Sequence, residues 1–312
     1  MNIKPHENIK LYGMDSYFNE IAELYIQNKM PNKILLSGKK GLGKSTLAYH
    51  LINYILSENQ AFTYDRKNFI INSDNKSYKL LNNNTHPNFY KIDLIEEKKN
   101  IDIGQIREMI TYTNKSTFNN KPRFILIDNI ENLNKNSVNA LLKVVEEPNK
   151  KIYFILIHNN EKNILNTLKS RCLIFKINFT FDESIKISNL LLNNNLFNLI
   201  NYDLINYYNT PGEFMRLIDF AKEKKIDLNN YNLEDFLNYL IDNNYYKKNK
   251  FIKNLIIIFI ELFFLKKYKF TKAKNEFLVI YHNFLCKIND TEKFNLDDES
   301  LFLEFKTKLL NG

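Results

Sequence analysis

Tryptophan is absent from the 312 residues, and glycine (7), proline (6) and cysteine (2) are scarce. The two cysteines, Cys172 and Cys286, lie far apart with no CxxC spacing. That excludes a disulfide framework and a cysteine-built zinc site, and it fits a reducing cytosol. Long apolar runs are missing too. The opening stretch MNIKPHENIK has no apolar core and does not read as a signal peptide. The most apolar segment, Leu255–Leu265, carries Glu261 and falls short of the ~20 residues a membrane span needs. It predicts a buried helix in a soluble, cytoplasmic protein with no membrane partner. Arginine is nearly missing as well: Arg66, Arg107, Arg123, Arg171 and Arg216 are the only five, and every other cation is lysine. Where a chain has drifted to lysine, a retained arginine marks a place where a planar fork is useful.

What fills the space is lysine, asparagine, isoleucine, tyrosine and phenylalanine, a bias of the kind an AT-rich genome imposes. The net charge of +9 therefore spreads lysine over every surface and says little for a nucleic-acid partner. Hydrophobic content of 44% and aromatic content of 14% are those of a folded chain, and the length suits two or three domains.

Through the first 180 or so residues, short apolar runs alternate with helical patterns. KILLS (Lys33–Ser37), NFYKIDL (Asn88–Leu94), RFILID (Arg123–Asp128), IYFILIH (Ile152–His158) and LIFKI (Leu173–Ile177) read as strands. KSTLAYHLINYIL, DIGQIREMITYT and SVNALLKVVEEP read as helices, the last opened by Ser137 and closed by Pro148. Nearly continuous apolar strands separated by helices predict an α/β domain, a five-stranded parallel sheet with helices on both faces. Asn59 to Pro87 is polar, without a clear period, and reads as an irregular insertion. After Phe179 only helical patterns remain. The expected division is an α/β domain over 1–179, a small helical unit over 180–230 and an all-α C-terminal domain over 231–312.

GKKGLGKST (Gly38–Thr46) fits G-x-x-x-x-G-K-[ST] and sits between a strand and a helix. Gly38, Gly41 and Gly43 let backbone N–H groups face a phosphate chain, and the helix that follows turns its positive end toward it. Lys44 would reach the β- and γ-phosphates, and Ser45 would give an oxygen to Mg²⁺. Asp128, at the end of FILID, suits the same Mg²⁺, although a strand-end capping aspartate is the plain alternative. The residue after it is Asn129. An amide orients water but cannot take its proton, so it does not replace a carboxylate base. Glu131, past the strand end, reads as a solvated surface residue. Nucleotide binding follows from these residues; efficient hydrolysis does not.

Further stretches carry a resemblance. NSVNALLKVVEEP (Asn136–Pro148), FILIHNNEKNILNTLKSRC (Phe154–Cys172), LYGMDSYFNEI (Leu11–Ile21) and FNLDDESLFLEF near the C-terminus resemble clamp-loader subunits of the AAA+ ATPases, nearest to delta-prime subunits of the bacterial DNA polymerase III clamp loader. The resemblance implies an AAA+ domain, a helical lid and a collar domain. It implies bound ATP or ADP with Mg²⁺ held through the loop glycines, Lys44, Ser45, Thr46 and Asp128. Asn159, or else His158, falls at the position that watches the γ-phosphate, unless that asparagine is only a helix cap. Motor subunits of this family carry an Asp-Glu pair, broken here at Asn129, and a lid arginine, replaced here by Gly212 with Arg216 about one turn later. Many relatives hold a four-cysteine zinc module that residues 59–85 lack, so no zinc is expected. Arg171, in LKSRC, is implied to act in trans in a neighbouring subunit's ATP site. The implied partners are the gamma/tau motor and delta subunits of a hetero-pentamer, the sliding clamp, and primer-template DNA bound without sequence specificity. Competing readings are a gamma/tau-type motor, a stand-alone P-loop enzyme and a pure scaffold. An ordinary ion pair is the plain alternative for Arg171; Arg107 and Arg123 read as surface residues, and Cys172 as a small packing residue.

Overall fold

The computed structural model describes residues 4–95, 98–115, 119, 121–146, 151–247, 249–271, 274–294 and 296–310. The chain gathers into two compact units, one of residues 1–193 with 209–219 and one of residues 194–208 with 220–312.

The first unit is built on five strands, β1 (Lys33–Ser37), β2 (Phe89–Ile92), β3 (Arg123–Ile127), β4 (Ile152–His158) and β5 (Leu173–Lys176). They pair in parallel in the order β2-β3-β4-β1-β5. The five strands expected from the sequence are these five. Their side chains alternate between two cores, as a period of two requires. Ile34, Leu36, Phe124, Leu126, Ile155 and Ile157 point to one face, where helices α1 (Asp15–Ile26) and α2 (Lys44–Leu56) bring Phe18, Ile21, Leu47 and Ile52. Leu35, Ile125, Ile127, Phe154 and Leu156 point to the other. There α4 (Ile103–Asn114) and α5 (Lys135–Glu146) bring Ile106, Met109, Leu141 and Val145. Both faces are covered, which is why β3 is buried at every position.

Three expectations change. The insertion over 59–87 is ordered: it contains the helix α3 (Lys76–Asn82), capped by the Asn75 side chain, and an antiparallel bridge between Asp65 and Ile70. Its interior is a polar network in which His86 Nε2 meets Ser77 Oγ at 3.2 Å and Gln60 Nε2 donates to the same hydroxyl at 2.8 Å. Helix α5 begins at Lys135, before Ser137. Asn134 Oδ1 accepts the Ser137 N–H at 2.9 Å, and the buried Ser137 hydroxyl donates to the Ile101 carbonyl. Pro148, the expected end of that helix, lies outside the described residues. Arg123 is not a surface residue. It is 4% exposed, its Nη1 donates to the carbonyls of Tyr112 at 3.2 Å and Lys115 at 2.7 Å, and its guanidinium lies over the Tyr112 ring. It closes the C-terminus of α4, where carbonyls have no helical partner and the helix dipole favours a cation.

The short α6 (Asn166–Lys169) precedes β5, and α7 (Phe181–Leu192) follows it behind a Thr180–Glu183 capping box. Helix α8 (Pro211–Lys224) starts with proline at its first position, where the missing N–H has no helical partner to lose. Residues 180–193 and 209–219 group with the sheet, and the rest of 180–230 groups with the later helices. The second unit holds α9 (Leu233–Asp242), α10 (Lys250–Phe270), α11 (Lys274–Phe294) and α12 (Asp298–Phe305). Its core is aromatic, with Phe236, Phe259, Phe264, Phe302 and Phe305 almost wholly buried. The Leu255–Leu265 segment is inside α10, and most of its apolar side chains are buried. Among the described residues, no helix is long and apolar enough to cross a membrane.

Candidate nucleotide-binding site

The loop between β1 and α2 holds three of the seven glycines. Gly41 and Gly43 sit at φ +87° and +89°, a backbone region that side chains avoid. Gly38 is needed for a different reason: a Cβ there would lie 2.2 Å from the Ile177 carbonyl oxygen. Lys44, 2% exposed, threads back through the loop and donates to the carbonyls of Gly38 at 2.8 Å and Lys39 at 2.7 Å. Burial pulls its pKa down to about 8 against the opposing pull of Asp128 and Glu131. An anion set in the loop would remove that strain.

Ser45 Oγ donates to Asp128 Oδ2 at 2.5 Å. Asp128 is 9% exposed, and burial first, then the charge of Asp93, raises its pKa above the usual carboxylate value. A buried carboxylate beside a hydroxyl is a donor set of hard oxygens that suits Mg²⁺, which would relieve the same penalty. Thr46 accepts from Asn8 Nδ2 at 3.5 Å. Lys44, Ser45, Thr46, Asp93, Asp128 and Asn159 line one cavity of about 460 Å³, whose lining also includes the apolar side chains of Leu11, Tyr12, Ile187 and Met215. Polar groups that suit a phosphate chain and apolar side chains that suit a ring are both in that lining.

Asn159 lines this cavity and His158 does not. Both His158 ring nitrogens are engaged elsewhere, Nδ1 with Ser37 Oγ at 3.2 Å and Nε2 with the Lys162 carbonyl at 2.9 Å. Asn159 Nδ2 donates to Asn129 Oδ1 at 2.9 Å. Glu131 is a correction: it is 8% exposed, and its carboxylate accepts the Asn159 N–H at 3.2 and 3.3 Å. Asn129 at φ +55° bends the chain into a 3₁₀ turn that folds Glu131 inward, tying the end of β3 to the end of β4.

The start of α8 seats directly on the glycine-rich loop between β1 and α2. Gly212 N–H donates to the Gly41 carbonyl at 2.9 Å, Thr210 Oγ1 donates to the Lys40 carbonyl at 2.9 Å, and Glu213 pairs with Lys39 at 3.2 Å. A Cβ on Gly212 would come within 2.6 Å of Gly41 Cα. Arg216 also lines the cavity, one turn further along α8.

A family model described as DNA polymerase III, delta subunit matches residues 13–180. The chain belongs to that family. Relatives within reach of it include the DNA polymerase III subunit delta' of Buchnera aphidicola subsp. Schizaphis graminum, 32% identical over 180 residues, covering 57% of this chain and 52% of the relative. The DNA polymerase III subunit gamma of the same organism is 33% identical over 184 residues, covering 58% and 48%. The chain thus spans about half the length of the curated relatives it matches. Among solved structures, a DNA polymerase III gamma subunit-related protein of Thermotoga maritima aligns with a TM-score of 0.44 at 15% identity, over 85% of this chain and 76% of that one.

In this polymerase III family member, Arg171 stands apart from its own chain's cavity, just before β5. Its Nη1 donates to the Thr167 carbonyl at 2.8 Å and its Nη2 to Glu146 Oε1 at 2.8 Å, with the side chain 36% exposed. Leu165, Leu173 and Ile174, near it in the chain, are 51%, 43% and 39% exposed, and β5 is an edge of the sheet. Cys172 packs against the neighbouring core, and burial pushes its thiol up to about 11.

The residue that sequence reasoning missed is Asp93. Its signal was present: FYKID ends in an acid as FILID does, and β2 and β3 pair in parallel with Ile92 opposite Ile127.

Proposed function

We propose that this chain is a delta-prime-type subunit of a DNA polymerase III clamp loader. It binds ATP or ADP with Mg²⁺, hydrolyses it slowly or not at all, and supplies Arg171 to the ATP site of a gamma/tau-type motor neighbour. Gly38, Gly41, Gly43 and Thr46 would seat the phosphates, Lys44 would neutralise them, and Ser45 and Asp128 would hold the metal ion. Mg²⁺, when bound, would shield the phosphate charge. The lack of an acid at position 129 supports slow turnover, and Asn159 would contact the terminal phosphate. The C-terminal helices would hold the chain in a pentamer with motor and delta subunits. That assembly would act in the cytoplasm, placing the sliding clamp on primer-template DNA that lysines and backbone N–H groups grip by its phosphates alone.

One observation carries the reading of Arg171: a partly exposed guanidinium, held among the described residues by one carboxylate and one carbonyl, lies just before the edge strand β5, whose Leu173 and Ile174 are exposed. Exposed ion pairs of this kind are worth about 0–1 kcal/mol, so a neighbour's triphosphate outcompetes Glu146 readily. An arginine placed in trans is worth roughly 10³–10⁵ in rate, or ~4–7 kcal/mol of barrier. The test is Arg171→Ala in a reconstituted complex: DNA-stimulated ATPase should fall steeply with assembly intact, and Arg171→Lys should not rescue it. Full activity of the assembled Arg171→Ala complex sinks the proposal. The relative named subunit gamma favours a second reading, a motor in its own right. Strong hydrolysis by the chain alone, abolished by Lys44→Ala, would select it.

A further inference from the structure

The carboxylate missing from position 129 is present one strand away. Ile92 of β2 is in register with Ile127 of β3, and Asp128 N–H donates to the Ile92 carbonyl at 2.9 Å. Asp93 and Asp128 therefore leave the sheet side by side. Asn129 Nδ2 donates to Asp93 Oδ1 at 2.7 Å, while Asn129 Oδ1 accepts from Asn159 Nδ2 at 2.9 Å. A carboxylate only accepts, so its partner fixes which end of the Asn129 amide faces which way. Asp93 shares the cavity with Lys44, Ser45 and Asp128.

We propose that Asp93 is the general base of this pocket, with Asn129 and Asn159 as positioning residues that hold the attacking water beside it. The inference rests on reading the cavity as an ATP site. The second acid is then supplied by β2 instead of β3. In the step, the water oxygen bonds to the γ-phosphorus and one water proton passes to Asp93. The bond from that phosphorus to the β–γ bridging oxygen breaks, its electron pair staying on the oxygen, and ADP and inorganic phosphate result. Both Asp93 oxygens are already engaged, Oδ1 by Asn129 and by the Leu94 N–H at 2.8 Å, Oδ2 by Lys91 Nζ at 3.0 Å. Taking a proton weakens that set, so turnover is slow, as suits a subunit that mainly holds its nucleotide. A purely structural Asp93, bracing Lys91 and Asn129, would leave the chemistry untouched when replaced.

The experiment uses the full chain and Mg·ATP. Titration should give wild type and Asp93→Asn dissociation constants within about threefold of each other. Single-turnover cleavage of the γ-phosphate should exceed the Lys44→Ala background in wild type and fall by about 10² or more in Asp93→Asn. Without nucleotide, Asn129→Asp should lower the thermal midpoint by setting two carboxylates together, and Asn129→Asp with Asp93→Asn should recover it. Absence of ATP binding by wild type would overturn the nucleotide site itself. Binding without hydrolysis above background, or hydrolysis that survives in Asp93→Asn, overturns the base and leaves the site standing. Strictly additive midpoint changes overturn the Asp93–Asn129 contact.

Discussion

Arg107 and Arg123 look alike in the sequence, each a lone cation next to apolar residues, yet they do different work. Arg107 is exposed on α4, whereas Arg123 is buried and takes carbonyls at the end of that helix. Arg123→Met should therefore cost about 2–3 kcal/mol in a urea titration, because it leaves those carbonyls without a partner. Arg107→Met should stay within about 0.5 kcal/mol. Nothing local marks the difference, since the carbonyls that Arg123 serves precede it by 8 to 11 residues across a loop. Glu131 was misread for a related reason. A polar residue past a strand end is usually solvated, and only the left-handed turn at Asn129 brings this one back toward Asn159.

At the scale of elements, the strands were legible because near-continuous apolar runs of four to seven residues admit few other readings. The glycine-rich loop was legible because its glycines answer to backbone geometry as well as to packing. The seating of α8 on that loop was not, because it joins Gly41 to Gly212 across 171 residues. Gly212→Ala should therefore disturb the proposed nucleotide site although Gly212 is not among the residues proposed to hold the phosphates. Its Cβ meets Gly41 backbone, and a shift costing about 1–3 kcal/mol should weaken nucleotide binding roughly tenfold or more in a calorimetric titration. Unchanged affinity would mean that the loop yields freely. The insertion over 59–87 hides its order in the same way: Ser77, Gln60 and His86 form their network by meeting in space, with no hydrophobic period to announce it.

For the molecule as a whole, the buried histidines His50 and His86 contribute to its response to mild acid. Burial pulls His50 and His86 down to about 4. His50 pairs with the Tyr64 hydroxyl and the Asn8 carbonyl, and His86 accepts the Asn88 N–H. Each folded value lies below the unfolded one near 6.5, so the unfolded chain binds more protons between them. Their stabilising share is complete above about pH 6.5 and is lost as pH falls toward 4, at up to about 1.4 kcal/mol per unit for each. Urea titrations across that window should show the loss, and His50→Phe should flatten the slope while lowering stability at neutral pH. The two halves of the proposed function should also separate: a reconstituted complex carrying Lys44→Ala should keep most of its ATPase, because Arg171 stands outside the cavity that Lys44 serves.

By itself the sequence determined the α/β sheet, the glycine-rich loop before Lys44 and Ser45, Asp128 at a strand end, and a helical C-terminal half. Each of these is written in a local pattern, through period, spacing or backbone conformation, and a local pattern survives without its surroundings. Only the tertiary structure decided that Arg123 caps a helix, that Glu131 turns inward, that Gly212 rests on Gly41 and that Asp93 faces Asn129. Those are meetings of residues far apart in the chain. Which charge finds which partner depends on how parallel strands register and helices seat, and that is settled by packing rather than by neighbours in sequence.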